Sequence, residues 1–499
     1  MATTQAAPSG ASTSTSATPE NMTLLDRIVQ EGKMAVEPSQ SAYARTLLGQ
    51  FATQVLDEGM KTSPNKGVVA TINERVAQID KILSDQVNAI MHSEGFQALE
   101  GSWRGLHDMV MGTETSSKLK LRLLNVSKKE LLKDLEGAVD HDMSVLFKKI
   151  YEEEYGTFGG HPYSLFIGDY YFGRHPQDMA LLERLSKVAA AAHAPFISAA
   201  APSLFDMTSF TELGVPRDMS KIFDSAELTS WRGFRESEDS RYVALVLPRY
   251  AARLPYGAKT NPVESFSFEE NVDGTNHDKY LWSNSAYQLG LRITDAFAKH
   301  SWTTAIRGVE GGGQITGMTA HTFKTDDGDI VLKCPTEVTI TDRREKELND
   351  LGFIAVVNAK GTDTAAFFGG QSVNKPKLYN LDAANANAAL SSRLPYILAA
   401  SRFAHYLKVI MRDKVGSFQT RASVENYLNN WLSDYVLLDA NATQAEKARF
   451  PLAEGRVDVK EIAGKPGAYS AIVFLKPHFQ MEELTTSIRL VAELPAAVG

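Results

Sequence analysis

Two short apolar runs separated by one helix-length segment place the strongest limit on the fold. Ser164-Leu-Phe-Ile and Pro195-Phe-Ile-Ser each read as a buried strand, and Pro176 to Ala192 between them reads as a helix. Strand, helix, strand at this spacing calls for a crossover, and crossovers join parallel strands. Tyr242-Val-Ala-Leu-Val-Leu-Pro adds a further buried strand, and Ser285 to His300 a helix. A second strand–helix–strand unit is expected further on. Glu337-Val-Thr-Ile alternates, Asp342 to Glu345 forms a capping pattern before a helix Arg343 to Leu351, and Phe353-Ile-Ala-Val-Val resumes a strand. Gly352 sits where a helix end needs a left-handed residue. Leu119-Lys-Leu-Arg-Leu is expected as a half-buried strand, and Ser127-Lys-Lys-Glu130 as a capping box. Lys118 to Val357 is therefore read as α/β or α+β, with mixed sheets flanked by helices.

The flanks differ in texture. Met22 to Lys33 and Ser39 to Glu58 read as helices with narrow apolar stripes, carried by Leu24, Leu25 and Ile28 and by Leu47, Leu48, Phe51 and Val55. Val68 to His92 reads as a longer helix with its own stripe, Ile72, Val76, Ile79, Ile82, Leu83 and Val87. Narrow stripes must pack against something, in this chain or another. Asn380 to Leu437 reads as mostly helical, with Pro395 near the start of its longest helix. Val457 to Ile462 and Tyr469 to Leu475 flank Gly464-Lys-Pro-Gly467, a hairpin signature, and Ser487 to Leu494 alternates again.

The chain has 499 residues, and 52 Lys+Arg against 60 Asp+Glu leave a formal charge of −8. That balance argues against whole-protein binding to nucleic acid or anionic membrane. Cys334 is the only cysteine, so no internal disulfide can form, and its apolar context reads as a small buried hydrophobe. The Ala/Ser/Thr/Pro-rich lead 1–20 has no basic or apolar signal region and is expected to be disordered. No run approaches the ~20 apolar residues of a spanning helix. A cytoplasmic location is expected.

Catalytic patterns are scarce. Asp169, at the carboxyl end of an apolar strand and flanked by His161 and His175, is the best enzyme candidate. The two histidines fit no compact metal motif. Gly308 and Gly311-Gly-Gly lack the Lys-Ser/Thr of a phosphate loop. Glu236 and Asp239 could serve acid/base chemistry, but pairing with Arg235 and Arg241 to fix a loop or a subunit contact is the preferred reading. After Pro395, Arg402, His405, Lys408 and Arg412 fall within about a third of a helix circumference, with Lys414 at the basic end. Such a stripe on an acidic protein is either a solvated face or a meeting place for an acidic surface.

Longer motifs carry a resemblance. Phe96-Gln-Ala-Leu-Glu-Gly-Ser-Trp-Arg-Gly-Leu-His107 and Trp231-Arg-Gly-Phe-Arg-Glu-Ser-Glu-Asp-Ser-Arg-Tyr242 are followed in order by Pro248-Arg-Tyr, Leu254-Pro-Tyr-Gly257, Asp342-Arg-Arg-Glu-Lys-Glu-Leu and Leu351-Gly-Phe. Together they resemble the large subunit of the type VI secretion contractile sheath (TssC/VipB/EvpB), from about residue 22 to the end. The motif residues are Trp103, Arg104, Trp231, Arg235, Glu236, Asp239 and Arg241. The resemblance implies a phage tail-sheath-like fold and a structural polymer with no catalytic residue, metal or cofactor. It implies pairing with a small sheath subunit (TssB/VipA), polymerisation around an Hcp tube, attachment to an envelope-anchored baseplate, and recycling by a ClpV-type AAA+ unfoldase acting mainly on the small subunit.

Under that resemblance the features acquire expected roles. Leu24, Leu25, Ile28, Leu47, Leu48, Phe51 and Val55 would pair with the small subunit. Arg402, Lys408, Arg412 and Lys414 would face the tube. Val457, Val459, Ile462, Tyr469, Ile472 and Phe474 would enter an inter-subunit sheet. The expected organisation is a lead 1–20, a helical pairing arm 21–60, a large α/β domain 61–375, and a C-terminal domain 376–499 with the tube-facing helix and assembly strands. The alternative is a cytoplasmic α/β enzyme built on Asp169.

Overall fold

The computed structural model describes residues 23–35, 37–62, 68–215, 217–325, 327–417, 420–439, 441–464 and 467–481. The lead 1–20 and the alternating run Ser487 to Leu494 lie outside them. The chain divides into two compact units, Met1–Ala89 with Tyr256–Glu270, and Ile90–Pro255 with Asn271–Gly499.

The first unit is helical. Leu24–Glu31 opens on a capping box in which Thr23 and Asp26 satisfy each other's free backbone N–H groups. Arg45 pairs with Asp26 at 3.2 Å, tying this helix to the next, Ser41–Thr62. Val68–Met91 follows, and Asn88 donates through Nδ2 to the Glu269 carbonyl at 3.1 Å. Three helices thus stand where three were expected, with ends shifted by a few residues.

The second unit is built on a six-stranded sheet. Its strands are β1 (Phe166–Phe172), β2 (Phe196–Ala200), β3 (Val243–Leu247), β6 (Gln314–Ile315), β9 (Phe353–Asn358) and β10 (Ala365–Phe367), in the order β1-β2-β3-β9-β10-β6. Two short ribbons accompany it, β4 (Tyr250–Ala251) with β5 (Trp282–Ser283), and β7 (Thr322–Lys324) with β8 (Ile330–Leu332). The first four sheet strands run parallel, and β10 turns antiparallel to both β9 and β6. The expected crossover is present, with Pro176–Ala192 as its helix. Every residue of β2, β3 and β9 is buried, as continuous apolar runs in a doubly covered parallel sheet require.

The pleat divides those runs between two cores. Phe196, Val243, Leu245, Phe353 and Ala355 face Leu181, Leu182, Leu185, Trp231 and Phe234. Ile197, Ala244, Val246, Ile354 and Val356 face Leu289 and Ile293 of the helix Ala286–His300, with Leu394 and Leu398 beyond. Trp231 is fully buried and stacks on Phe353 at 5.6 Å between ring centres.

Two expected strands are absent. Residues 119–124 form no ladder: Leu121 packs beside Met109 and Leu291, while Leu123 and Leu124 stay exposed. The Glu337 run belongs to no strand, with an isolated bridge just before it from Thr336 to Tyr250. Its alternation encodes an ion pair, because the buried Glu337 carboxylate accepts from Arg249 Nη2 at 2.6 Å and from the Arg249 backbone N–H at 2.8 Å. The parallel neighbour of β9 is therefore β3. The helix after it spans Asp342–Asp350, and Thr341, not Asp342, occupies its N-cap without a side-chain bond. The capping box at Ser127 and Glu130 is formed, and Gly352 is left-handed at φ 88°.

The end of the chain forms a smaller layer. The helix Leu394–Asp413, with Pro395 in its first turn, and the helix Arg421–Ser433 pack against a hairpin of β11 (Leu452–Glu461) and β12 (Tyr469–Pro477). Gly464 and Gly467, both at φ 78°, flank the turn. Among the described residues, no helix is long and apolar enough to cross a membrane.

Candidate assembly surfaces

The helix Glu94–Met111 carries the first motif, and its inner face explains most of it. Gly101 and Gly105 bring the backbone against Trp282 and Tyr287. A Cβ on Gly101 would lie 2.7 Å from the Trp282 carbonyl, and one on Gly105 2.5 Å from Ser283 Oγ and closer to the Tyr287 ring. Glu100 accepts from Arg253 Nε at 2.8 Å and from Arg104 Nε at 2.7 Å. Burial pushes the Glu100 carboxyl up, but these two guanidinium groups outweigh it and hold it below its ordinary value. Tyr250 donates to Asp108 at 3.2 Å. Trp103 points the other way and is 61% exposed, with Phe96, Leu99 and Val110 also exposed.

The second motif is structural and internal. Arg235 is buried and donates to the Val373 and Asp350 carbonyls at 2.9 and 3.2 Å. Burial lowers its pKa to about 10. The expected pairing of Arg235 and Arg241 with Glu236 and Asp239 is corrected: Arg241 donates to the Glu238 carbonyl at 2.9 Å, and Glu236 is exposed. Carbonyls replace carboxylates because the guanidinium of Arg235 crosses three chain segments rather than lying along its own loop.

The enzyme candidates scatter into separate local bonds. Asp169 accepts from Asn284 Nδ2 at 3.3 Å. His175 accepts the Gln177 N–H and so caps the helix Pro176–Ala192. The His161 backbone N–H donates to Glu154 at 2.7 Å. Among the described residues, no group of three His, Cys, Asp or Glu could hold a metal ion. Gly308 and Gly312 have positive φ in a turn leading to β6, and Gly308 N–H donates to the Phe367 carbonyl at 2.6 Å. Cys334 is partly buried, 3.2 Å from Thr336 Oγ1.

The basic stripe of Leu394–Asp413 is engaged within the chain. Lys408 lies 3.4 Å from the centre of the Tyr155 ring, and Arg412 donates to the Thr157 and Tyr155 carbonyls at 2.8 and 3.0 Å. Arg402 stacks on Tyr406 at 4.5 Å, and Lys414 lies 4.3 Å from the Tyr427 ring. His405 is buried and bonds through Nε2 to the Ala192 carbonyl at 2.9 Å. The expected free stripe is thus a set of side chains with intrachain partners. Its spacing was readable, but the partners of Lys408 and Arg412 come from residues far away in sequence.

The hairpin has two unlike faces and two unlike edges. Val457 and Val459 are buried against Leu428 and Leu432, with Tyr469 packed beside them. Ile462, Ile472 and Phe474 face outward, Phe474 being 52% exposed. Ile462 N–H donates to the Ala468 carbonyl. The ladder alternates from there, so the backbone groups of Val457 and Val459 on β11, and of Ala471, Val473 and Leu475 on β12, turn away from the partner strand. On β11 that edge is sealed. Asn429 Nδ2 donates to the Val457 carbonyl at 2.8 Å, its Oδ1 accepts the Val457 N–H at 2.9 Å, and Glu425 accepts the Val459 N–H at 3.1 Å. Along the outer edge of β12 no strand pairs among the described residues. Asn429 and Glu425 carried no signal in the sequence, because a polar residue on a helix face gives no hint of a strand it will cap.

The N-terminal helices leave much of their stripes uncovered. Leu24, Ile28 and Leu47 are exposed, Leu24 to 74%, while Leu25, Leu48 and Phe51 are partly buried. Val55 lies outside the described side chains. Ile72, Val76, Ile79, Ile82 and Leu83 of Val68–Met91 are also exposed, and Tyr43 is 68% exposed.

The chain combines an α/β body, a C-terminal hairpin and helices with exposed apolar stripes. Comparison with known families places it. The tail sheath N-terminal domain of EvpB/VC_A0108 (VipB) matches residues 73–374, and the tail sheath gpW/gp25-like domain of EvpB/VC_A0108 (VipB_2) matches residues 383–494. The chain belongs to this family of type VI secretion sheath large subunits, and it is a structural sheath protein rather than an enzyme. It is 49% identical over 488 residues, 97% of both chains, to the type VI secretion system sheath protein TssC1 of Pseudomonas aeruginosa. Two solved structures overlap it more loosely. The anti-feeding prophage baseplate does so at TM-score 0.37 and 10% identity, over 63% of this chain and 66% of the other. The contracted PVC sheath complex of an extracellular contractile injection system does so at TM-score 0.34 and 9% identity, over 62% and 68%.

Proposed function

We propose that this sheath subunit heterodimerises with a small sheath subunit, polymerises into a helical sheath around an Hcp-type tube, and contracts to drive the tube outward. The observation that carries the reading is the hairpin with one sealed and one open edge. An open edge beside outward apolar side chains is a template for a strand from another subunit. The exposed helix stripes at residues 24–51 and 72–83 supply apolar surface for the small subunit, of the kind that an unpartnered soluble chain rarely presents.

In this reading the subunit has no reaction to catalyse. The extended lattice is metastable and the contracted one lower in free energy, so energy stored during assembly is released as motion. The polymer sits in the cytoplasm on an envelope-anchored baseplate. A ClpV-type AAA+ unfoldase recycles it mainly through the small subunit, without nucleic acid or membrane insertion. The tube contact of Arg402, Lys408, Arg412 and Lys414 would draw on side chains that already have intrachain partners.

The test is co-expression with the small subunit and negative-stain microscopy. Tubules are the expected product, and a discrete monomer or dimer alone counts against the proposal. Removing residues 456–499 should abolish tubules but leave soluble heterodimer; intact sheaths would exclude the hairpin as the lattice contact.

A further inference from the structure

The helix Leu394–Asp413 belongs to the second family region, while its basic face meets residues of the first. Lys408 Nζ lies over Tyr155 at 3.4 Å and over Tyr151 at 4.8 Å, and 3.4 Å from the Tyr151 hydroxyl. Both tyrosines belong to the π-helical segment Lys148–Tyr155. Arg412 closes the end of that segment, donating Nη1 to the Thr157 carbonyl and Nη2 to that of Tyr155. A helix end leaves carbonyls without partners and carries partial negative charge, so a cation placed there is held by both bond and field. A planar guanidinium fork reaches two carbonyls at once, which an ammonium cannot do in the same geometry. Arg402 Nη1 adds a long bond to Ser164 Oγ at 3.4 Å, and His405 fastens to the end of the helix Pro176–Ala192 through the Ala192 carbonyl.

The opposite face of the same helix holds the hairpin. Phe403 and Leu407 pack in one cluster with Leu428, Leu432, Val457 and Val459. One helix thus touches the hairpin with its apolar face and the six-stranded body with its basic face.

We propose that the basic face of Leu394–Asp413 is a weld between the two sheath regions, which fixes the hairpin relative to the body and passes load from one to the other. The force-transmitting role rests on the proposed lattice function of the hairpin. The weld itself does not. Cation–π contacts and bonds to helix-end carbonyls are directional, so they hold an angle as well as a distance. A purely apolar contact would allow sliding.

Hydrogen exchange on the full-length chain in soluble complex with the small subunit tests the weld. In Lys408→Met with Arg412→Gln, amide exchange over residues 148–160 and 394–414 should rise at least tenfold. Exchange in β2, β3 and β9 should not change. Tyr155→Phe, which keeps the ring face, should match the wild type, and Tyr155→Leu should resemble the double variant. If the double variant does not fold, Arg412→Lys, which keeps charge but loses the fork, should give a several-fold rise. Unchanged exchange at 148–160 in these variants overturns the weld. Where wild-type tubules form, the double variant should still polymerise but with non-uniform diameter; uniform tubules overturn load transmission. Absence of wild-type tubules would defeat the sheath proposal and leave the exchange result standing.

Discussion

At the scale of single residues, two neighbours in one motif have opposite duties. Gly105 lies against Tyr287 and Ser283, whereas Trp103 faces away and is largely exposed. Gly105→Ala should overpack this contact and destabilise the chain by ~1–3 kcal/mol, read by denaturant unfolding. Trp103→Ala should change stability by less than ~0.5 kcal/mol, since a surface substitution removes little packing. Equal losses would contradict this division. His405 makes a pH prediction. Burial lowers its pKa to about 4 from an ordinary 6.5, and nearby Arg402, His193 and Lys408 oppose its charge further. Its ring also lies beside Tyr155. Between pH 6.5 and 4 the unfolded chain binds the extra proton, so stability should fall as pH drops through that window, by ~3 kcal/mol at most. His193 is lowered too, chiefly by burial, and adds to the same trend. Thermal melts from pH 7 to pH 4 should show a steeper decline for wild type than for His405→Gln; parallel curves would refute it.

At the scale of elements, the hairpin was readable from its alternation and its Gly464-Lys-Pro-Gly467 turn, whereas the burial of Val457 and Val459 came from the structure. Which edge stays open was not readable, because it depends on Asn429 and Glu425 reaching across from another helix. Ala471→Pro probes that edge. Its N–H points away from β11, so the proline removes a donor from the outer edge and spares the hairpin ladder. Soluble complex without tubules is the expected outcome. Normal tubules would mean that the β12 edge pairs with nothing in the lattice.

At the scale of the whole molecule, the exposed apolar side chains make a prediction about solubility. Leu24, Ile28, Tyr43 and Leu47 on the first two helices, and Ile72, Val76, Ile79, Ile82 and Leu83 on the third, all stand exposed. Expressed alone, the chain should be recovered mainly as aggregate, and co-expression with the small subunit should raise the soluble fraction several-fold. A monodisperse lone chain would argue that those stripes are not a pairing surface. The −8 net charge does not oppose this, since charge spread over a molecule of this size does not cover a local apolar face.

The sequence by itself determined the parallel strands, the crossover helix, the capped helix at Ser127 and the C-terminal hairpin. Each depends on periodicity, turn residues or caps within a few neighbours. The motif run from Phe96 to His107 likewise carried the family without any structure. Only the tertiary structure decided what the charged residues do. Glu337 alternated like a strand residue and became the buried partner of Arg249. Arg235 was expected among carboxylates and lies among carbonyls. The basic stripe after Pro395 was expected to face a tube; within the chain its Lys408 and Arg412 meet Tyr155 and the end of a π-helical segment. An apolar period states only that a face must be buried. A charge takes its partner from whatever the fold brings within a few ångströms, and that partner can be hundreds of residues away.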